Sequence, residues 1–279
     1  MTVGDGPDSS VCAVIPVRNE EDSIVAAVSN AKAAGAGGVH VVVNGSSDRT
    51  AGVALGIWPP VSVHVFAEPL GVDVPRAIGA ALCLAGGRFS AVLFLDGDMA
   101  GPVGRLMRGL VEPVARGELD LALTDCTGGV VTTAARGWRG LFAEVTEARL
   151  ELNRRLGLVS LIGAASPSHG PFACSPELLR RAGPILFAVP PCLLAVAALN
   201  GLQVGVGMRV RHDALGSPDR GPEHARMIAD TIIGDCAEAL AYFEGLPRTR
   251  AYEGRARDGL NPSRRADILE RAVQSILAS

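Results

Sequence analysis

Ala91–Met99, AVLFLDGDM, is the stretch whose reading decides the fold. Ala91–Leu95 has the length and unbroken apolarity of a strand buried on both faces, as in a parallel sheet. The run stops abruptly at Asp96 and Asp98, with only Gly97 between them to let the backbone turn tightly. Open α/β sheets carry their ligand chemistry at such strand ends. Two hard oxygen donors one residue apart suit Mg²⁺ or Mn²⁺, and through the cation a diphosphate. The same pair also suits a turn or the cap of a following helix.

Working outward, the segments before this strand repeat one pattern. Val11–Val17 reads as a first buried strand, followed by a helix capped by Asp22 or Ser23 and running to about Ala34. Val39–Val43 is a second strand, with a short helix through Leu55, and Val61–Phe66 is a third. A glycine-punctuated loop then opens a helix over Pro75–Ala85. Strand–helix repetition of this kind predicts an α/β fold with a mostly parallel, right-handed sheet between helices. Val11–Glu20 has no G-x-G-x-x-G, so the dinucleotide-binding version is excluded.

Beyond Met99, helices are expected over Gly104–Ala115 and Trp138–Leu156, with a strand at Leu119–Thr124. Gly163–Ser175 is a Gly/Ser/Pro loop, and Pro176–Ala182 begins a helix. Ile185–Leu199 is too short for a bilayer and is broken by Pro190 and Pro191, so it reads as a buried helix entered through a proline turn. Gln203–Val210 alternates like a strand and runs into His212. Helices over about Glu223–Phe243 and Ser263–Leu277 close the chain, joined by polar Pro247–Pro262. The expected division is a flexible 1–10, one domain over 11–215 and a helical extension over 216–279, the last a candidate dimer element that could also pack on its own domain.

The 279 residues are 48% hydrophobic and 20% charged, enough to bury a sizeable core, and the net charge of −3 excludes a strongly basic nucleic-acid-binding surface. The six cysteines form no C-x-x-C pair, which fits a reduced, cytoplasmic protein. The polar, acidic start is unlike a signal peptide, and no transmembrane segment is expected.

IPVRNEE, VVVNGSSDRT, EPLGVDVPRAIGAAL, FLDGDM and a late His, in this order, resemble GT-A-fold glycosyltransferases. The similarity is to family 2 and to glucosyl-3-phosphoglycerate synthases, over Val11–Asp213. It implies a metal-dependent hexosyltransferase with a nucleoside-diphosphate sugar as donor, UDP-glucose first and GDP-mannose second. The loop with Pro16, Arg18 and Glu20 would hold base and ribose. Asn44, Ser46 and Asp48 would form the second nucleotide loop, where Val43 and Asn44 replace the family's usual Asp-Asp. Gly71, Gly79 and Arg76 match a glycine-rich entry whose Arg meets the diphosphate, with Asp73 where a small residue is commoner. Asp98 would be the direct ligand of Mg²⁺ or Mn²⁺, Asp96 and Gly97 would sit against ribose or sugar, and His212 would be a second ligand, with Asp213 as alternative. Asp96, Asp98 and Arg76 are thus the implied catalytic groups, and His169 and Gly170 the implied acceptor contacts. The acceptor is a small glycerate-type molecule or a membrane lipid phosphate.

Inverting relatives place an acid before the acceptor-side helix, but Phe187–Leu199 has none. Either a base such as Asp125 acts from elsewhere or the configuration is retained. Two rivals stand beside this reading. One is a nucleotidyltransferase, although IPVRNEE lacks its glycines; the other is a degenerate, non-catalytic nucleotide-binding module.

Overall fold

The computed structural model describes residues 11–59, 61–87, 89–127 and 136–278. Its sheet comprises β1 (Val11–Val17), β2 (Gly38–Asn44), β3 (Ser62–Phe66), β4 (Ala91–Phe94), β5 (Leu121–Asp125), β6 (Phe172–Cys174) and β7 (Val204–Arg209), in the order β3-β2-β1-β4-β6-β5-β7. All pairs are parallel except those of β6, which runs antiparallel to β4 and β5. The chain winds outward from β1 to β3 and then returns to lay β4 on the other side of β1. The ends of β1 and β4 therefore part at a topological switch point, where such sheets open a crevice. Pro16 and Gly97 meet there, the Gly97 N–H donating to the Pro16 carbonyl at 3.0 Å.

Helices cover both faces. α1 (Ile24–Ala33), α2 (Thr50–Leu55) and, after α3 (Val74–Gly86) on the opposite face, α4 (Arg108–Ala115) follow the strands in turn. α5 (Arg136–Arg155), α6 (Val159–Ile162), α7 (Pro176–Ala182) and α8 (Cys192–Leu199) come next, and α9 (Pro222–Phe243) and α10 (Ala266–Ala278) complete the chain. Strand alternation sorts β1 between two cores: Ala13 and Ile15 face α1 and α4, whereas Val14 faces α3. α9 lies against α5 and α8, and α10 against α3. Ile233, Cys236, Leu269 and Val273 thereby share one apolar cluster with Val14 and Phe94. Among the described residues no helix is long and apolar enough to cross a membrane.

Three expectations are corrected. Neither Asp22 nor Ser23 caps α1 with its side chain; the Ser23 hydroxyl donates to Glu20 Oε2 at 3.0 Å instead. The stretch Gly163–Ser175 is not all loop. Its Phe172–Cys174 forms β6, and Phe172 stacks on Phe94 at 4.8 Å. Three residues are too few to show a period, so only the stacking partner and the flanking strands reveal the strand. The helix expected from Gly104 begins at Arg108. Before it, buried Asn30 ties down the chain by donating to the Met99 and Gly101 carbonyls and accepting from the Gly104 N–H. The polar Pro247–Pro262 stretch also contains a tight hairpin, β8 (Ala251–Tyr252) and β9 (Arg255–Ala256), turned by Glu253 and Gly254 at positive φ.

Candidate active site

The crevice at the switch point is a cleft of about 220 Å³ lined by Pro16, Arg18, Glu20, Asn44, Gly71, Asp73, Arg76, Asp96, Gly97, Asp98 and Arg220. A larger hollow of about 580 Å³ lies between α1 and α2, but no carboxylate lines it. Charge, not size, marks the candidate site. Gly97 is required at the bottom of the cleft, because a Cβ there would overlap the Val17 side chain. Gly71 has φ +89° and passes so close to Ser263 that a side chain would strike its carbonyl.

Two ion-pair systems meet in the cleft. On one side Arg76, at the start of α3, donates to Asp96 Oδ1 at 2.7 Å and to Asp73 Oδ1. Asp73 Oδ2 accepts from Arg264 at 3.1 Å, and Arg264 grips Asp235 on α9 through two 2.7 Å bonds. Asp235 also accepts from Arg250, which reaches Glu238. An alternating chain of buried charge thus links α9 to the end of β4. On the other side, Asp98 Oδ1 accepts from Ser217 Oγ at 3.0 Å, and Arg220 lies between Asp98 Oδ2, at 3.4 Å, and Glu20 Oε1. Burial pushes the Asp96 and Asp98 carboxyls above the usual carboxylate range; Arg76 opposes this at Asp96, and Ser217 and Arg220 oppose it at Asp98.

The loops expected to bind nucleotide are stitched to one another. Ser46 Oγ accepts from the Asn19 N–H at 3.1 Å, and Asp48 accepts from the Glu21 and Thr50 N–H groups. Ser46, Asp48 and Gly79 do not line the cleft, unlike the other expected donor-site residues; Gly79 packs against Val14 instead. Asn44 does line it, but its carboxamide accepts from the Leu70 N–H at 2.6 Å and donates to the Gly71 carbonyl at 3.2 Å. Its carbonyl oxygen keeps one further lone pair for a base N–H.

The expected acceptor and ligand residues form a third group. His169 Nδ1 lies 3.0 Å from Arg149 Nη1, and His169 Nε2 lies 3.0 Å from His212 Nδ1. Arginine only donates, so Nδ1 of His169 accepts and its Nε2–H donates to His212. His212 therefore faces His169 rather than Asp98, and to take a metal it has to give up either this bond or its own Nε2 proton. Asp213 is paired with Arg211, and Asp125 accepts from Thr127. Gly170, at φ +82°, packs near Thr124. Among the described residues Asp96, Asp98 and His212 do not converge as a preformed three-ligand metal site. Arg220 is seated between the Asp98 and Glu20 carboxylates. That donor set fits a hard divalent ion completed by substrate phosphates and water.

Burial, then Arg149 and His212, hold His169 well below the usual histidine range. The unfolded chain therefore takes up a proton near pH 6.5 that the native ring refuses, and stability falls as pH drops through that value. Between pH 7.5 and 5.5 the wild type is expected to lose about 0.5–1 kcal/mol through this group, after allowance for its partial exposure. His169→Asn should show a correspondingly shallower fall in urea-unfolding free energy, and an unchanged slope would refute the assignment.

Sequence reading missed Arg220, Ser217, Arg149 and Arg264. Asp73 was visible only as a departure from the resemblance. Arg149 sits within an ordinary amphipathic helix pattern, and only its burial, at 3% exposure, with no carboxylate partner among the described residues, sets it apart.

No family profile and no curated protein sequence matches the chain. Solved structures do. Glucosyl-3-phosphoglycerate synthase from Mycobacterium tuberculosis in complex with Mn²⁺, UDP and glucosyl-3-phosphoglycerate is 20% identical, with a TM-score of 0.60 over 85% of this chain and 81% of that one. The same enzyme with Mn²⁺ and UDP-glucose is 21% identical, with a TM-score of 0.60 over 85% and 80%. With Mn²⁺, UDP and phosphoglyceric acid the values are 21%, 0.59, 85% and 79%. The likeness establishes the GT-A fold expected from the motif order.

Proposed function

We propose that the protein is a metal-dependent hexosyltransferase that moves a sugar, glucose first, from a UDP-sugar to a hydroxyl of a small anionic acceptor of the glycerate class. The observation that carries this reading is the meeting of Asp96, Asp98, Glu20, Asn44 and Arg76 in one cleft at the β1/β4 switch point. The solved structures of the same fold hold Mn²⁺ with UDP or UDP-glucose. When bound, a divalent cation at Asp98 would neutralise the diphosphate as it leaves.

The chain's own residues divide the remaining work. Glu20 presents a carboxylate to ribose hydroxyls once Arg220 turns away, and Asn44 offers its second lone pair to the base. Arg76 fixes Asp96 against the sugar and adds positive charge beside the diphosphate. Arg149, buried without an acidic partner among the described residues, supplies the positive field for an anionic acceptor next to His169. Asp125 is occupied by Thr127 and by Arg209 at 3.6 Å, so it is poorly placed to serve as a base. That arrangement favours front-face attack, with the leaving phosphate taking the acceptor proton and configuration retained.

Calorimetric titration of UDP, GDP and their glucose and mannose esters, with and without Mn²⁺, tests the donor half. Metal-dependent uptake of a uridine nucleotide is expected; no uptake of any nucleotide refutes the proposal. A non-catalytic binding module is the second reading, favoured by the engagement of Asn44 with Leu70 and Gly71. Nucleotide binding without transfer to glycerate or phosphoglycerate, and without donor hydrolysis, would establish it. Arg220 competes with the cation for Asp98 and Glu20 through a partly exposed pair, worth about 0.5–1 kcal/mol. Arg220→Ala should therefore tighten nucleotide-free Mn²⁺ binding by about 2–5-fold, measured by manganese electron paramagnetic resonance.

A further inference from the structure

At the opposite end of the strands from the cleft, Cys12 of β1, His40 of β2 and Cys83 of α3 bring two sulfurs and a ring nitrogen to within 4.8 Å of one another. The two Sγ atoms are 3.0 Å apart, and the Cys83 S–H donates to Cys12. His40 Nδ1 lies 3.2 Å from Nε2 of His64 on β3. Four separate elements thus deliver these side chains to one face of the sheet. Gly38, the register partner of Cys12, carries no side chain over the sulfur; a Cβ there would stand 4.0 Å from it. Cys12 and His40 are only partly buried, so solvent reaches the cluster, whereas Cys83 closes it from beneath. Cys83 also lies in the last turn of α3, where the helix carbonyls favour positive charge.

We propose that Cys12, Cys83 and His40 form a binding site for a borderline-soft divalent cation of the zinc class, with His64 orienting the His40 ring. Thiolate and imidazole donors select such ions over the hard Mg²⁺ or Mn²⁺ assigned to Asp98. Bonds of about 2.0–2.3 Å place tetrahedral donors about 3.3–3.8 Å apart, so the cluster closes on an ion with shifts of the order of 1 Å. Binding releases the thiol protons to solvent and leaves two thiolates and one neutral imidazole around the dication, a neutral set. Water fills the fourth position. The second ring contact is the outer hydrogen bond that metal-bound histidines use to fix their orientation. Cys12 is five residues from Val17 along the strand, about 16 Å from the cleft. The site is therefore a staple between α3 and the sheet, independent of nucleotide chemistry.

Titration of the reduced protein with Co²⁺ tests this directly. Thiolate-to-cobalt charge-transfer absorption and intense tetrahedral d–d bands are expected, saturating at one ion per chain in both wild type and Asp98→Ala. Cys12→Ser and Cys83→Ser should each abolish the charge-transfer band, and His64→Asn should weaken binding by about 10–100-fold. Should a cysteine variant fail to fold, Zn²⁺ protection of Cys12 and Cys83 from alkylation in wild type, read by mass spectrometry, gives the same answer. Absence of the band at stoichiometric Co²⁺, its persistence in Cys12→Ser, or unprotected thiols with Zn²⁺ present would overturn the proposal. So would conversion of the pair to a disulfide with no cobalt taken up.

Discussion

Asp98→Ala should abolish metal-dependent nucleotide binding and lower glucosyl transfer by about 10²–10³-fold or more, the scale of losing one preorganised electrostatic contact at a leaving group. The same substitution should leave the melting temperature equal or higher. Burial raises the Asp98 carboxyl above its ordinary range, with Glu20 adding to the effect, so folding disfavours its ionised form relative to the unfolded chain. Removing the carboxylate relieves that cost and loses only the Ser217 bond and the long Arg220 contact. Opposite signs for stability and activity are what a functional site predicts. Calorimetric titration with Mn²⁺ and UDP, together with a thermal melt, reads both. Retained metal-dependent binding, or a marked drop in melting temperature, would return Asp98 to the status of a structural turn.

Asp235→Ala should cost about 3 kcal/mol, because it takes from two buried guanidinium groups the carboxylate they share. Asp235 is 1% exposed and accepts from both Arg250 and Arg264. Arg250 keeps Glu238 and Arg264 keeps Asp73, but each buried cation loses its shorter contact, and removing a partner from such a cluster costs more than the cluster itself adds to stability. For a chain of this size the melting temperature should fall on the order of 10 °C. Asp235→Asn keeps the shape and one acceptor and should fall between. The exposed Arg154–Glu151 pair offers the contrast, since its loss should leave the melting temperature essentially unchanged. Donor binding should weaken as well, because Arg264 loses its anchor and with it the hold on Asp73 that sets Arg76. A melt of Asp235→Ala within 2–4 °C of wild type, about 1 kcal/mol, would show that the buried charges are not coupled as drawn.

Much of the architecture was legible from local pattern. Val11–Val17 is apolar throughout because both faces of β1 are covered, and it appears as a strand with those same limits. The D-x-D after a buried run, placed behind a first strand that ends in charge, lines the cleft at the switch point. The motif order also pointed to the GT-A arrangement. Periodicity failed where an element is too short to have one, as at β6, and at helix starts, where Ser23 turns to Glu20 rather than to its own helix.

The residues of the candidate site divide along the same line. Pro16, Arg18, Glu20, Gly71, Arg76, Asp96, Gly97 and Asp98 follow strand ends or open helices, and the strand order alone gathers them into one crevice. Arg220, Ser217 and Arg264 arrive from segments more than 100 residues away from the cleft carboxylates they touch, Asp98 and Asp73. No local signal distinguishes an arginine that will be buried between two acids from one left on the surface. His212 shows the difference most sharply: its position after β7 matched the resemblance, but Arg149 beneath His169 sets which nitrogen it presents. Strand hydrophobicity and motif order are local properties written in the chain, and they determined the sheet and the place of its cleft. Charge pairing depends on distance, burial and desolvation, which exist only once the chain has folded, and so the tertiary structure alone decided which acid meets which base.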